Sequence, residues 1–192
     1  MSRTEEKPNV SRPLPVIICP GFHAAELTMG FVRSLPTFVR PLVVETFCVD
    51  SLAIFHWMTQ AIDAQPTKGP PVVAIGFSGG VVGIAGALKI WQQQGGQVRK
   101  LIAIDGWGMP LLGLPVCRLS HDRFTHWSSL PLGAGDVNFY ADPSVDHLRI
   151  WGEPETVSGY AMSGWERRKG SGMNAAEFIA QVLSHLYADL NN

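Results

Sequence analysis

Ser78 stands in Gly76-Phe77-Ser78-Gly79-Gly80, a G-x-S-x-G pattern. A serine hydroxyl is a weak nucleophile until a base takes its proton, and that base needs a carboxylate to hold its tautomer. The chain offers six histidines for the base. Asp105 and Asp142, each closing an apolar run, are candidates for the carboxylate. Three fixed positions in five recur by chance, so the surroundings decide. "PPVVAIGF" leads in as a buried strand, and residues 79–94 lead out as a helix rich in small side chains. A sharp strand-to-helix turn pushes the serine side chain out of the sheet and strains its backbone, so its neighbours must be small. Gly76, Gly79 and Gly80 meet that need. The helix N-terminus behind them suits a developing oxyanion. The competing reading makes Ser78 a helix cap. A dinucleotide site fits poorly. Gly80, Gly83 and Gly86 do not form G-x-G-x-x-G, and no acidic residue closes the next strand at the required place.

The elements that must position these residues alternate along the chain. "LPVIIC" reads as a buried strand ending in the turn Pro20-Gly21-Phe22-His23, and residues 24–35 as an amphipathic helix with Leu27, Phe31 and Leu35 on one face. "PLVVETFCV" reads as a second strand, with Ser51 capping the next helix. "PPVVAIGF" is the third strand and "VRKLIAID", closed by Asp105, the fourth. "DVNFYAD", closed by Asp142, reads as a short fifth, and Asn174 as the cap of a last helix bearing Phe178, Val182, Leu186 and Leu190. Strands apolar on both faces, alternating with helices, predict an α/β fold. It is a three-layer sandwich with a mostly parallel sheet of about five to six strands. Residues 106–135 show no period and read as a long irregular, functional stretch. Residues 1–13 read as a loose tail and 14–192 as a single domain.

Composition limits the function classes. Of the 192 residues 46% are hydrophobic and 16% charged, and the net charge is −1. That balance predicts a globular chain and gives no reason to expect nucleic acid as a partner. No apolar run is long enough to span a membrane, and the polar first residues do not read as a secretory leader. Cys19, Cys48 and Cys117 show neither zinc nor disulfide-framework spacing, which predicts reduced thiols in a cytoplasmic protein.

On the Pro20–His23 turn, the Gly76–Gly80 turn and the acid and histidine candidates that follow it, the chain resembles the α/β-hydrolase superfamily, particularly its small lidless serine esterases and lipases. The resemblance implies a serine hydrolase that cleaves an ester or thioester without a metal or organic cofactor. It implies the chain order nucleophile, acid, histidine, which sets His23 and His56 aside as bases. His185 lies beside the apolar stripe of the last helix and reads as structural. The resemblance therefore implies Ser78 as nucleophile, Asp105 as acid with Asp142 as rival, and His147 as base with His121 and His126 as rivals. The amides of Phe22 and Gly79 are the implied oxyanion donors. His23, Trp107, His121, His126 and Trp127 are candidates to line a substrate pocket. With Met109, Leu111 and Leu112 in the same stretch, they suggest a hydrophobic acyl or aromatic substrate. The sheet is short of the family's usual eight strands, which leaves the acid open and implies little or no lid. The alternative class is a catalytically silent relative that binds a small molecule in the same pocket.

Overall fold

The computed structural model describes residues 12–106, 108–164 and 172–191. Most of the expected tail, and Trp107, lie outside the described residues. The chain order is β1 (Leu14–Cys19), α1 (Ala25–Ser34), β2 (Val39–Val43), α2 (Ser51–Ala61), β3 (Val72–Phe77), α3 (Gly79–Gln93), β4 (Val98–Ile104) and β5 (Val116–Ser120). It continues with α4 (Arg123–Ser129), β6 (Val137–Ala141), α5 (Arg149–Gly152), β7 (Ser158–Ser163), β8 (Gly172–Asn174) and α6 (Ala175–Asn191).

Among the described residues one sheet holds every strand, in the order β2-β1-β3-β4-β5-β6-β7-β8. Strands β1 to β6 pair in parallel, and β7 and β8 return antiparallel. The two-residue period of a strand sorts its side chains onto two cores. Val16, Ile18, Val73, Ile75, Ile102 and Ile104 pack with Phe31 of α1 and with Phe178, Ile179 and Leu183 of α6. Ile17, Cys19, Ala74, Leu101 and Ala103 pack with Ile54 and Met58 of α2 and with Ile84, Leu88 and Trp91 of α3. Among the described residues no helix is long and apolar enough to cross a membrane.

The sheet has eight strands, not the five to six that the sequence pattern predicts. Three strands carry weak signals. β5 is buried along its whole length yet has an arginine at its centre. Arg118 is 2% exposed. Its guanidinium donates to the carbonyls of Gly133 at 2.8 Å, Met109 at 2.9 Å and Leu132 at 3.1 Å. β7 reads SGYAMS and β8 has three residues, so neither shows an apolar run. Residues 106–135 are accordingly not irregular throughout, since they contain β5, α4 and a 3-10 turn at Leu130–Leu132.

Two boundaries also move. β2 spans Val39–Val43 rather than the whole of "PLVVETFCV", because its partner β1 runs out of ladder at Cys19. Asp50, not Ser51, caps α2, and its Oδ1 accepts from the amides of Leu52 and Ala53. Asn174 does cap α6. Its Oδ1 accepts from the Glu177 amide while Glu177 Oε2 accepts from the Asn174 amide, a reciprocal capping box.

Candidate functional site

Strand order brings the chemistry-bearing residues to one edge. β3 lies between β1 and β4, and all three run in parallel. Their C-terminal ends therefore meet on the same side, where open α/β sheets bind ligands. β1 ends in Pro20-Gly21-Phe22-His23, β3 in Ser78 and β4 in Asp105. His121 follows β5 directly, and His147 lies in the loop after β6.

Ser78 has φ 50° and ψ −122° between β3 and α3. A positive φ is uncommon outside glycine, and one held at the mouth of a helix stores strain. The turn is fixed by its backbone: the Ser78 amide donates to the Ile104 carbonyl at 2.9 Å, and its carbonyl accepts from the Val81 amide at 3.1 Å. The Ser78 side chain makes no capping bond to α3, which removes the support for a pure capping role. Glycine is required where chains meet. A Cβ on Gly80 would land on the carbonyl oxygens of Cys19 and Pro20. One on Gly21 would come within 3.1 Å of the Ser78 Cβ. The turn after β1 therefore presses directly on the start of α3. Gly83 abuts the Cys48 carbonyl before α2.

Gly79 opens α3, so its amide has no intrahelical acceptor. The Phe22 ring lies over it, with Cε2 3.0 Å from where a Gly79 Cβ would stand. Phe22 is largely exposed, and its ring centroid is 5.6 Å from that of Phe47, which is also exposed.

Asp105 also has φ 50°, and its amide donates to the Leu119 carbonyl at 2.9 Å. Its carboxylate is buried and receives three hydrogen bonds. Oδ1 accepts from the His121 amide at 2.9 Å. Oδ2 accepts from Nδ1 of His121 and from Nδ1 of His147, both at 2.8 Å. Burial by itself pushes the Asp105 pKa up, but the bonds from His121 and His147 outweigh it and hold the carboxyl below its usual range. An ionised carboxylate only accepts, so both imidazoles carry a proton on Nδ1. The two rings differ at their other nitrogen. His121 Nε2 lies 3.4 Å from Asp122 Oδ2. The bond to Asp105 chiefly, with the charges of Asp105, Asp122 and Asp146, raises the His121 pKa against the opposing effect of burial. His147 stacks on Phe77, with ring centroids 4.8 Å apart, and its side chain is 41% exposed.

The ligating atoms of Asp105, His121 and His147 lie within 4.8 Å of one another, close enough to surround a small divalent ion. With both Nδ1 atoms protonated they form a hydrogen-bonded set instead.

The remaining candidates separate. Asp142, at the end of β6, is exposed, and both histidines reach Asp105 rather than it. His126 is 1% exposed, packs against Trp127 and Tyr140, and has no hydrogen-bond partner among the described residues. Burial pushes its pKa down to about 4. His23 donates from Nδ1 to the Ala24 carbonyl at 2.9 Å and packs against Phe77 and Trp151. Trp127 is half-buried, Leu111 is buried in the core and Leu112 is exposed.

The geometry adds two features absent from the sequence reading. His121 shares the Asp105 carboxylate, which was hidden because β5, the strand that delivers it, reads as irregular chain. A cavity of about 580 Å³ lies against α1, lined by Gly21, His23, Thr28, Met29, Val32 and Val44 among others. Its signal was present in α1 as a second apolar set, Met29 and Val32, off the Leu27–Phe31–Leu35 stripe. No protein-family model matches the chain, and no curated protein matches it.

Proposed function

We propose that this protein is a serine hydrolase of the α/β-hydrolase type, a minimal three-layer member that cleaves a carboxylic ester or thioester through an acyl-enzyme. The observation that carries the reading is the pairing of a strained, uncapped Ser78 at the end of β3 with the Asp105–His147 hydrogen bond at the same sheet edge. In this mechanism Ser78 Oγ attacks the acyl carbon and His147 Nε2 takes its proton. Asp105 holds the Nδ1 proton and stabilises the imidazolium that forms. The Gly79 and Phe22 amides receive the oxyanion. His147 then protonates the leaving alcohol or thiol, and a water, activated by the same ring, releases the acid.

His147 is preferred over His121 because of the second nitrogen of each ring. His121 has carboxylates at both nitrogens, Asp105 at Nδ1 and Asp122 at Nε2, so its outer nitrogen is already engaged and its protonated form is favoured. His147 commits only Nδ1 to Asp105 and keeps Nε2 for chemistry. His126, buried at 1% exposure, is a packing residue in this scheme.

A fluorophosphonate probe tests the reading. It should label the protein once, at Ser78, and wild-type protein should turn over p-nitrophenyl acetate. Labelling that persists unchanged in Ser78→Ala, or an absence of turnover with intact fold, removes the hydrolase assignment. Intact fold without turnover would leave the silent binding protein as the surviving class.

A further inference from the structure

We infer that the cavity between α1 and the β1–β2 edge is the acyl-chain site, and that the substrate carries a medium-length apolar acyl group. The inference rests on the serine-hydrolase reading and moves the acyl pocket away from residues 106–135. The cavity, of about 580 Å³, is lined by Pro20, Gly21 and His23 at one end and by Val43 and Val44 of the β2 edge. Ala25, Thr28, Met29 and Val32 supply its α1 wall, which ends at Arg33. A chain in this cavity would begin near the reacting carbon, because Gly21 lines the cavity and lies so close to Ser78 that a Cβ on it would stand 3.1 Å from the Ser78 Cβ. His23 joins the two regions from the other side, since its ring packs on Phe77, the ring on which His147 stacks.

The chemistry of the wall selects the occupant. Apart from Arg33, His23 and the Thr28 hydroxyl, the lining side chains are apolar. Phe22, the neighbour of Gly21 in the chain, and Phe47 are exposed rings whose centroids lie 5.6 Å apart. From Ala25 to Arg33 the helix advances roughly 12 Å. An octanoyl chain fits that length and ends before the guanidinium, whereas an acetyl group leaves the wall unused. Of the residues first expected to bind the acyl group, His23 lines this cavity, whereas Leu111 is buried in the core and Leu112 is exposed.

The test compares p-nitrophenyl octanoate with p-nitrophenyl acetate on wild type, Met29→Trp and Ala25→Phe. Both substituted residues are exposed, so the larger side chains fill the cavity without entering the core. Wild type should prefer octanoate in kcat/KM by about tenfold or more, the scale expected for several buried methylenes. Each variant should lose at least tenfold on octanoate and stay within about twofold on acetate. Equal losses on both esters, or no loss on octanoate, overturn the assignment. Octyl acetate supplies the opposite arrangement. A Met29→Trp loss on octyl acetate and none on the octanoate ester would put the alcohol in the cavity and also overturn it. Decanoate displacement of a fluorescent fatty acid from Ser78→Ala separates the two levels of inference. Displacement that Met29→Trp abolishes supports the cavity even when no ester is cleaved. Displacement that Met29→Trp leaves unchanged refutes the cavity even when acetate is cleaved.

Discussion

Asp105 Oδ2 accepts from two imidazoles at equal length, so distance does not rank His121 and His147. Their outer nitrogens do. Replacing His147 by alanine should lower kcat by roughly 10³–10⁴ with little change in KM, and Asp105→Asn should match it, since both act on the base rather than on binding. His121→Asn should stay within about tenfold of wild type, because a general base is worth far more than that. Steady-state kinetics on one activated ester checks all three. A His121→Asn loss as deep as that of His147→Ala would exchange the two roles. The same cluster sets a pH dependence of stability. The His121 pKa is raised above its ordinary 6.5, so its contribution is complete below that value and is lost as pH rises through the raised pKa. Asp105 is depressed below its ordinary 3.8, so its contribution is present above that value and is lost as pH falls through the lowered pKa. The Tm gap between wild type and His121→Asn should therefore be widest, at about a few degrees, between about pH 4 and 6.5, and should narrow toward pH 9. Comparing the two proteins cancels other titrations, such as that of buried His126. A gap that widens with pH would contradict the raised pKa.

At the scale of elements, two contacts decide whether the sheet edge is assembled. Arg118 on β5 collects carbonyls from residues 109, 132 and 133, and so fastens the chain on both sides of its own strand. Asn138 on β6 adds to this, as its Oδ1 accepts from the amides of Arg118 and Gly135. Burial pushes the Arg118 pKa down to about 10, which still leaves it charged at neutral pH. Arg118→Met keeps the stem and orphans the carbonyls, so it should cost about 3 kcal/mol or more. A thermal melt would show this as a Tm fall of roughly 6–12 °C. A shift under about 2 °C would mean that water replaces the guanidinium at little cost. The second contact is Gly80 of α3 against the carbonyls of Cys19 and Pro20. Gly80→Ala forces these backbones apart, at a cost of roughly 1–3 kcal/mol in urea unfolding. It should also depress kcat, because the Phe22 and Gly79 amides sit on the two chains that separate. Full activity in a folded Gly80→Ala protein would disconnect that packing from the oxyanion site.

For the whole molecule, the consequence of one continuous sheet is cooperativity. Every strand among the described residues belongs to it, and each central strand contributes to both cores. Neither core can be lost while the other keeps its inner wall. Urea unfolding followed by tryptophan fluorescence and by far-UV circular dichroism should therefore give coincident midpoints. Trp91 reports on one core and Trp151 on the other. Separated midpoints would reveal two independent units.

What the sequence by itself determined is local. The buried runs of β1, β3 and β4 and the Asn174 cap each act within a few neighbouring residues, and the turn around Ser78 is written in consecutive residues although Gly80 is required by the distant Cys19 and Pro20 carbonyls. The α/β class follows from their alternation. Tertiary structure decided the rest. β5 reads as irregular because its buried arginine is satisfied by carbonyls 9 to 15 residues away. The two histidines reach Asp105 across 16 and 42 residues, and only strand order brings them to one carboxylate. The cavity on α1 is lined jointly by the turn after β1, the helix and the end of β2 at Val43 and Val44, so no single element's periodicity shows it. Periodicity records which face of an element is apolar. It does not record which neighbour covers that face, and the site is assembled from those neighbours.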